Sequence, residues 1–377
     1  MARLGKTISA LKRGSAGNRG SAPPTRLLRQ DFGPNPGALT MLTYVPEALP
    51  EGSPLVVVVH GCGQEAEGHA AAAGWLALAD RLGFAVIAPQ QSSANNANLC
   101  FNWFERGDTV RGKGEAASIH AMVTTALAAY SLDPTRVYVT GLSAGGAMAA
   151  VMLATYPDVF AGGAVVAGLP YGVATNMHEA LQAMRGASQL TTAQLADRLR
   201  NASPGSVRWP RLCVWHGDRD HTVAPSAATA LTRQWAAAQG LAAAPDRIEL
   251  VNGRSRARWC SPEGEILIEC HMVPGIGHGT PLATREVDSV GFTAPFMLEA
   301  SISSAWTTAR FWGLAPELIG DASLSPDPVA LHTDLGGAAN PHTPVLAETV
   351  LASTAPHVDP AVQAIIERAL GAAGLMR

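Results

Sequence analysis

The feature that most constrains the fold is an uninterrupted β-branched run, Leu-Val-Val-Val-Val-His at residues 55–60. A strand of this kind is buried on both faces, which is typical of a parallel sheet covered by helices. Helical and strand patterns then alternate along the chain, and this alternation predicts a doubly wound, mostly parallel α/β sheet with helices on both faces. The predicted strands are residues 39–44, 55–60, 84–88, 136–140, 161–167, 212–215, 247–251 and 266–273, and the predicted helices are residues 70–82, 116–130, 145–156, 226–239 and 300–312.

The chain divides into three predicted parts. Residues 1–30 carry seven Lys or Arg and no acid among Gly, Ser, Ala and Pro, and predict a flexible basic arm. Residues 31–314 are predicted to form one catalytic domain. Within this domain, residues 170–209 lack strand character and predict a helical cap segment. Residues 315–377 predict a Pro- and Gly-rich linker followed by a short C-terminal helix that starts after Asp359.

Composition excludes several classes of protein. Hydrophobic residues make up 47% of the chain, charged residues 15%, and the formal net charge is -3, so there is no general attraction to nucleic acid. No apolar run approaches the ~20 residues of a membrane-spanning helix. No apolar core of a secretory signal follows the first charges. This pattern favours a cytoplasmic location over an extracellular one.

The five cysteines are too few and too irregular for a disulfide-framed domain, and no Cys-x-x-Cys pair indicates zinc. Cys260 and Cys270 flank a predicted hairpin turn at residues 262–265. That turn sets Cys260 opposite Leu267, which argues against their pairing. The pairing of the cysteines, and with it the redox compartment, stays open.

A Gly-x-Ser-x-Gly pattern at residues 141–145 predicts a catalytic nucleophile, Ser143. A serine needs a base to become nucleophilic, and a strained strand-to-helix turn with small neighbours exposes its hydroxyl. The pattern arises by chance in Gly-rich chains, where it marks a tight turn without catalysis. Here a predicted strand precedes it and a predicted helix follows, as the catalytic turn requires.

The acid and the base of a triad follow the nucleophile in the order that this architecture uses. Two carboxylates, Asp218 and Asp220, come after the strand at residues 212–215. We favour Asp220, because an Asp directly after a Gly turn, as Asp218 is, usually bonds to nearby backbone amides.

The predicted base is His278, in a Gly-rich loop directly after the strand at residues 266–273. The other histidines are less well placed. His271 lies within that strand, and His216 and His221 crowd the acid loop rather than face the nucleophile.

An acyl-transfer site also needs two N–H donors for the developing oxyanion. We expect the backbone N–H of Ala144 to supply one and that of Cys62, in the Gly-rich loop after residues 55–60, to supply the other, with Gly63 as the near alternative. Trp103, in an aromatic loop, either lines the acyl pocket or packs in the core.

Together these segments resemble the polyhydroxybutyrate depolymerase-type esterase family, which is close to feruloyl and acetylxylan esterases. The resemblance spans roughly residues 35–314 and includes the motifs at residues 60–62, 83–90, 100–104, 111–119, 141–146, 167–172, 215–217 and 277–282. It implies an α/β-hydrolase fold and cleavage of carboxylic esters by a serine triad with Asp220 as the acid. Many members of the family begin with an export signal, which implies an extracellular location for them.

The resulting hypothesis is a serine hydrolase that cleaves carboxylic esters through an acyl-enzyme on Ser143. The candidate substrates are polyhydroxyalkanoate oligomers or polymer, short-chain acyl esters and feruloyl-type esters. No cofactor and no metal are expected. The alternatives are a peptidase or amidase on the same fold, and a granule-associated or binding protein.

Overall fold

The computed structural model describes residues 26–206, 208–251, 253–285 and 289–316. Most of the predicted basic arm, and all but the first two residues of the predicted linker and C-terminal helix, lie outside these described residues. Within them, no helix combines the length and the apolar character needed to cross a bilayer.

A ten-stranded sheet forms the centre of the molecule, in the order β1-β2-β4-β3-β5-β6-β7-β10-β9-β8. The strands from β4 to β10 in this order run parallel, and antiparallel strands flank them at both edges. The strands are β1 Leu28–Gln30, β2 Thr40–Tyr44, β3 Leu55–Val59, β4 Ala85–Gln90, β5 Val137–Leu142, β6 Gly162–Val166, β7 Arg211–Gly217, β8 Arg247–Val251, β9 Arg254–Cys260 and β10 Ile266–Val273. A separate parallel pair joins β11 Thr280–Leu282 to β12 Met297–Glu299.

Helices cover both faces of the sheet. They are α1 Ala66–Ala72, α2 Trp75–Leu82, α3 Gly114–Ala129, α4 Ala144–Thr155, α5 Met177–Met184, α6 Thr192–Ala202, α7 Ser226–Ala238 and α8 Ser304–Phe311. Alternate residues of β3 belong to different cores: Val57 and Val59 pack with α3, α4 and α7, whereas Val56 and Val58 pack with α1, α2 and α8. This arrangement confirms the predicted α/β-hydrolase fold and explains the unbroken apolar run in β3.

The predicted helix at residues 70–82 is two helices, α1 and α2. The chain breaks at Gly74, whose φ is 91°. A Cβ at this position would lie 2.9 Å from the backbone carbonyl carbon of Val290, so the loop pressed against it admits only glycine. Tertiary packing therefore overrides the local helix propensity of the Ala-rich segment.

Strand β9 was not predicted, because its alternating arginines look too polar for a sheet. Arg256 and Arg258 are paired with carboxylates, the first with Glu249 and the second with Glu269. The hairpin register also differs slightly from the prediction.

A bulge sets Cys260 opposite Ile266 rather than Leu267, and Cys270 lies opposite Ala257. Cys260 and Cys270 are both free thiols. The prediction that they do not pair is therefore confirmed.

The end of the predicted arm is part of the sheet. Leu28–Gln30 forms β1, which runs antiparallel to β2, and Leu27 is buried beside it. The sheet therefore includes residues that precede the predicted boundary at residue 31. Arg26 forms an ion pair with Asp80, which links the segment before β1 to α2.

The predicted cap segment contains two helices, α5 and α6, between β6 and β7. Asn176 caps α5 and Thr191 caps α6, each by accepting a backbone N–H with its side chain. Their apolar residues form a third cluster that also contains Ala144 of α4 and Trp103. The segment therefore packs at the end of the sheet that carries Ser143.

Candidate active site

Ser143 occupies a strained turn between β5 and α4. Its φ of 56° and ψ of -118° lie in a region that non-glycine residues rarely adopt. Its backbone N–H donates to the carbonyl oxygen of Val166 at 2.9 Å, which ties the turn to the neighbouring strand. The turn places Ser143 at the carboxyl end of the parallel strands, where the active sites of this architecture form.

The glycines around Ser143 are required by close backbone contacts. A Cβ on Gly141 would lie 2.4 Å from the carbonyl oxygen of Gly145. A Cβ on Gly145 would lie 2.3 Å from the carbonyl oxygen of Val59 and 2.4 Å from that of His60. The turn therefore packs directly on the loop that follows β3, and side chains at these positions would separate the two.

Asp220 accepts hydrogen bonds on both of its carboxylate oxygens. The Nδ1–H of His278 donates to Oδ2 at 2.7 Å, and the backbone N–H groups of Thr222 and Val223 donate to Oδ1 at 2.8 and 2.9 Å. The side chain of His216 approaches the same Oδ2 from another side, at 3.3 Å. The residue is only 3% exposed, so these donors replace the water that a carboxylate would otherwise bind.

The balance of these effects keeps Asp220 ionised. Burial alone would raise the pKa of the carboxyl, but the hydrogen bonds from His216 and His278, the charge of His278 and the Val223 N–H outweigh it and hold the pKa well below its usual value. A buried carboxylate of fixed charge is suited to orienting an imidazole and stabilising its protonated form.

Asp218, the rejected acid, has a different partner. Its Oδ1 accepts the backbone N–H of Gly275 at 2.7 Å, so it braces the loop that carries His278. Gly217 allows the same two loops to meet, because a Cβ there would lie 2.4 Å from the carbonyl oxygen of Ile276. The backbone role expected for Asp218 is thus present, although its partner lies in the neighbouring loop rather than in its own.

His278 sits at the end of β10, beside the acid loop at the end of β7. Its ring lies edge-on to Phe296, with centroids 6.2 Å apart. Since β5, β7 and β10 run parallel, their carboxyl ends carry Ser143, Asp220 and His278 to one edge of the sheet. The three predicted residues therefore lie at the same edge of the sheet, where His278 contacts Asp220.

The competing histidines have other partners. His271 is buried, stacks on Trp215 and donates from Nε2 to Glu269 at 2.6 Å. His216 donates from Nε2 to the carbonyl oxygen of Val223 at 2.9 Å, beside Asp220. Sequence reasoning set His216 aside as a base and missed its contact with the acid; its spacing of four residues from Asp220 was the available signal.

In the loop after β3, the backbone N–H groups on both sides of Cys62 are engaged in hydrogen bonds. Gly61 N–H donates to Gln64 Oε1 at 2.8 Å, Gly63 N–H to the Asn98 carbonyl at 2.8 Å, and Gln64 N–H to the Gly61 carbonyl at 3.3 Å. Within the described parts of the chain, the N–H of Cys62 has no such acceptor. The engaged N–H of Gly63 makes Cys62 the better of the two predicted oxyanion donors.

A disulfide links Cys62 to Cys100, 38 residues further along the chain. The sequence left the cysteine pairing open and did not identify this bond. The signal lay in the topology, because the two cysteines follow β3 and β4, which are adjacent parallel strands ending at the same edge. The disulfide ties the loop after β3 (residues 60–65, the proposed oxyanion loop) to the aromatic loop that contains Trp103.

Trp103 is buried, with 8% of its surface exposed, and lies edge-on to Phe104 at a centroid distance of 5.2 Å. It belongs to the cluster that contains Ala144, Leu169 and Val173, against which Cys62 also packs. Its position beside Ala144 and Cys62 is compatible with both alternatives raised by the sequence, core packing and pocket lining.

One group of metal-ligand side chains occurs among the described residues: Cys213, Glu269 and His271, whose ligand atoms lie within 4.8 Å of one another. Both Glu269 oxygens already have partners, Arg258 Nε at 2.7 Å and His271 Nε2 at 2.6 Å. Burial raises the pKa of the Cys213 thiol well above its usual value, which opposes the thiolate that a metal needs. The group is an ion-pair network, and the guanidinium would repel a cation.

Comparison with known proteins matches residues 39–255 to the family described as Esterase PHB depolymerase. Poly(3-hydroxyalkanoate) depolymerase C of Paucimonas lemoignei is 42% identical over 75% of this chain and 69% of its own length. Feruloyl esterase B of Talaromyces stipitatus is 34% identical over 56% of this chain and 60% of its own. Among solved structures, acetyl xylan esterase from Aspergillus awamori superposes with a TM-score of 0.65 and 26% identity, covering 77% of this chain and 99% of that one.

Proposed function

The chain belongs to the Esterase PHB depolymerase family and is a carboxylic ester hydrolase, and we propose that Ser143 is its nucleophile, His278 its base and Asp220 its acid. The observation that carries the proposal is the 2.7 Å hydrogen bond from His278 Nδ1 to Asp220 Oδ2. Because an ionised carboxylate only accepts, Nδ1 holds the proton, and Nε2 of the neutral ring is left as the base.

The reaction proceeds in two halves. His278 Nε2 takes the proton of Ser143 Oγ as the oxygen attacks the ester carbonyl, and the N–H groups of Cys62 and Ala144 bind the resulting oxyanion. The carbonyl re-forms, the ester C–O bond breaks, and the alcohol leaves with the proton from Nε2. Water then attacks the acyl-enzyme with the same base, which releases the carboxylic acid and restores Ser143.

The substrate we propose is an ester of a hydroxyalkanoate, as oligomer or amorphous polymer. The identity to the poly(3-hydroxyalkanoate) depolymerase, 42%, exceeds the 34% to the feruloyl esterase. A hydrolysis panel decides this: short-chain p-nitrophenyl esters, hydroxybutyrate oligomers, amorphous polymer and methyl ferulate at equal enzyme concentration. Turnover of methyl ferulate above that of the oligomers would reject the hydroxyalkanoate assignment.

The nucleophile is tested with a fluorophosphonate probe and the variant Ser143→Ala. We expect the probe to label wild-type protein at Ser143, and the variant to lose both labelling and hydrolysis of p-nitrophenyl butyrate. Ser93→Ala, at an exposed serine, is the matched control and should behave as wild type. Residual p-nitrophenyl ester hydrolysis by folded Ser143→Ala at the wild-type rate would remove the proposal.

The same chemistry can cleave amides, since both reactions pass through a tetrahedral oxyanion. Paired ester and anilide substrates with one acyl group separate the two activities. We expect turnover of the ester alone, and faster turnover of the anilide would make the protein an amidase.

A further inference from the structure

His60, at the end of β3, is a fully buried histidine that has no part in the mechanism above. Its Nε2 lies 3.2 Å from the backbone nitrogen of Gln91, and its Nδ1 lies 2.8 Å from the carbonyl oxygen of Gly61. It thus connects the end of β4 to the first peptide of the oxyanion loop. A buried polar ring at this position calls for a physical reason.

The two contacts determine which nitrogen of His60 carries the proton. The backbone N–H of Gln91 can only donate, so Nε2 of His60 must accept and is unprotonated. The proton of the neutral ring is therefore on Nδ1, which donates to the Gly61 carbonyl. Burial lowers the pKa of His60 to about 4, which keeps the ring neutral.

This donation fixes the direction of the Cys62 N–H. In a trans peptide the C=O and the N–H point in opposite directions, so a bond that holds the Gly61 oxygen also aims the N–H of Cys62 to the other side of the chain. None of the described residues supplies an acceptor for the Cys62 N–H, whereas the N–H groups of Gly61 and Gly63 both have one. The Gln64 N–H also reaches the Gly61 oxygen, but at 3.3 Å it is the weaker of the two restraints.

We propose that His60 is a positioning residue that orients the Gly61–Cys62 peptide, so that the Cys62 N–H faces the developing oxyanion during ester hydrolysis. This inference rests on the proposed function, because that function assigns the Cys62 N–H to binding the oxyanion. Loss of an entire oxyanion donor costs about 10²–10³ in kcat. If the donor is only misoriented, and Gln64 and the disulfide still hold the loop, kcat should fall by about 10- to 100-fold.

Two substitutions separate the two bonds of His60. His60→Asn places an amide N–H where Nδ1–H lies and keeps the donor to Gly61, whereas His60→Gln places an oxygen where Nε2 lies and keeps the acceptor for Gln91. His69→Gln replaces another buried histidine, on α1, and is the control for general disturbance of this region. The readouts are kcat, KM and the inhibition constant of a trifluoromethyl ketone, whose adduct carries the oxyanion.

We expect His60→Gln to lower kcat by about 10- to 100-fold and to weaken the ketone by a similar factor, with KM changed by less than about twofold. His60→Asn should stay within about threefold of wild type, and His69→Gln should match wild type. Equal losses of kcat in His60→Asn and His60→Gln would overturn the proposal. A rise in KM with ketone binding unchanged would also overturn it.

If wild-type protein neither hydrolyses the ester nor binds the ketone, the proposed function itself fails. If wild type does both and the two variants do not differ, only the role of His60 fails. Should His60→Gln not fold, nitrogen NMR of histidine-labelled wild type answers the same question. We expect the His60 resonances to report a proton on Nδ1 from pH 5 to pH 8, and a proton on Nε2 would reject the proposal.

Discussion

At the scale of single residues, the candidate site depends on contacts between backbones that only glycine permits. Gly145 touches the carbonyl oxygens of Val59 and His60, which belong to β3 and the loop that follows it. The packing that holds Ser143 in its strained turn is therefore the same packing that holds the oxyanion loop. Stability and catalysis should respond together when this contact is disturbed.

We predict that Gly145→Ala lowers the free energy of unfolding by about 1–3 kcal/mol, because its methyl group would overlap two carbonyl oxygens. Hydrolytic activity should fall with it. The matched control is Gly68→Ala, in α1, where no atom lies within 4 Å of the added Cβ. That change should be neutral or should stabilise by about 0.5–1 kcal/mol. Urea unfolding measures both, and equal effects would contradict the contact argument.

A second residue-scale prediction concerns His216, whose Nε2 donates to the carbonyl oxygen of Val223 and lies 3.3 Å from the Asp220 oxygen that accepts from His278. His216→Phe removes this polar neighbour from the buried carboxylate, so Asp220 should hold His278 less firmly. We expect kcat/KM for p-nitrophenyl butyrate to fall by about tenfold, the effect of one hydrogen bond to a charged group. His216→Gln, which can keep a donor, should stay within about threefold of wild type, and equal losses in the two variants would exclude this contact as the cause.

At the scale of elements, the disulfide joins two loops that leave adjacent strands, β3 and β4. It fixes the segment with Cys62 against the segment with Asn98 and Trp103, and Gly63 N–H reinforces it by donating to Asn98. The oxyanion loop is therefore held from three sides: by the disulfide, by His60 and by the turn after β5.

We predict that Cys100→Ser costs about 3–4 kcal/mol of stability, the value expected for a closed loop of 38 residues. Activity should fall as well, because the oxyanion loop loses one restraint. Cys260→Ser, at a free thiol, is the control and should leave both unchanged. Thermal unfolding with and without reductant measures the effect. If reductant leaves the wild-type midpoint unchanged, the disulfide contributes nothing to stability.

At the scale of the whole molecule, the sheet order explains how the candidate site could be located from the sequence. A parallel sheet brings the ends of its strands to one edge, so Ser143, Asp220 and His278 could each be placed by the strand they follow. Gly-rich turns at these ends marked the positions in the sequence. Chain order then assigned the roles without any knowledge of distances.

What the sequence did not reveal depends on contacts between distant segments. The pairing of Cys62 with Cys100 follows from the adjacency of β3 and β4. The strand with Arg256 and Arg258 is stable because carboxylates on its neighbours neutralise it. The break at Gly74 comes from a loop more than 200 residues later, at Val290. None of these partners is visible in a local pattern of polar and apolar residues.

The disulfide also bears on the compartment. Structural disulfides persist in oxidising environments and are rare in the cytosol. The Cys62–Cys100 bond is therefore of the kind that an extracellular or periplasmic setting preserves.

The pH dependence of stability should reveal a buried acid, Glu115, in the first turn of α3. The residue is 1% exposed and accepts hydrogen bonds from Asn102 N–H, at 2.8 Å, and from the side chain of Gln91. Burial outweighs these bonds and raises the pKa of Glu115 from 4.5 to about 8. The folded state therefore binds a proton that the unfolded chain releases between these two values.

Because the folded state holds the extra proton, this group's contribution to stability is full below pH 4.5 and is lost as the pH rises through about 8. The expected slope is at most about 1.4 kcal/mol per pH unit. Glu115→Gln keeps an oxygen acceptor and cannot ionise, so it should flatten this part of the profile, whereas Glu47→Gln, at an exposed position, should not. Urea unfolding from pH 5 to pH 9 measures the difference. Parallel profiles for wild type and Glu115→Gln would show that Glu115 ionises in the folded state as it does in the unfolded chain, and that its hydrogen bonds to the loop after β4 offset the burial.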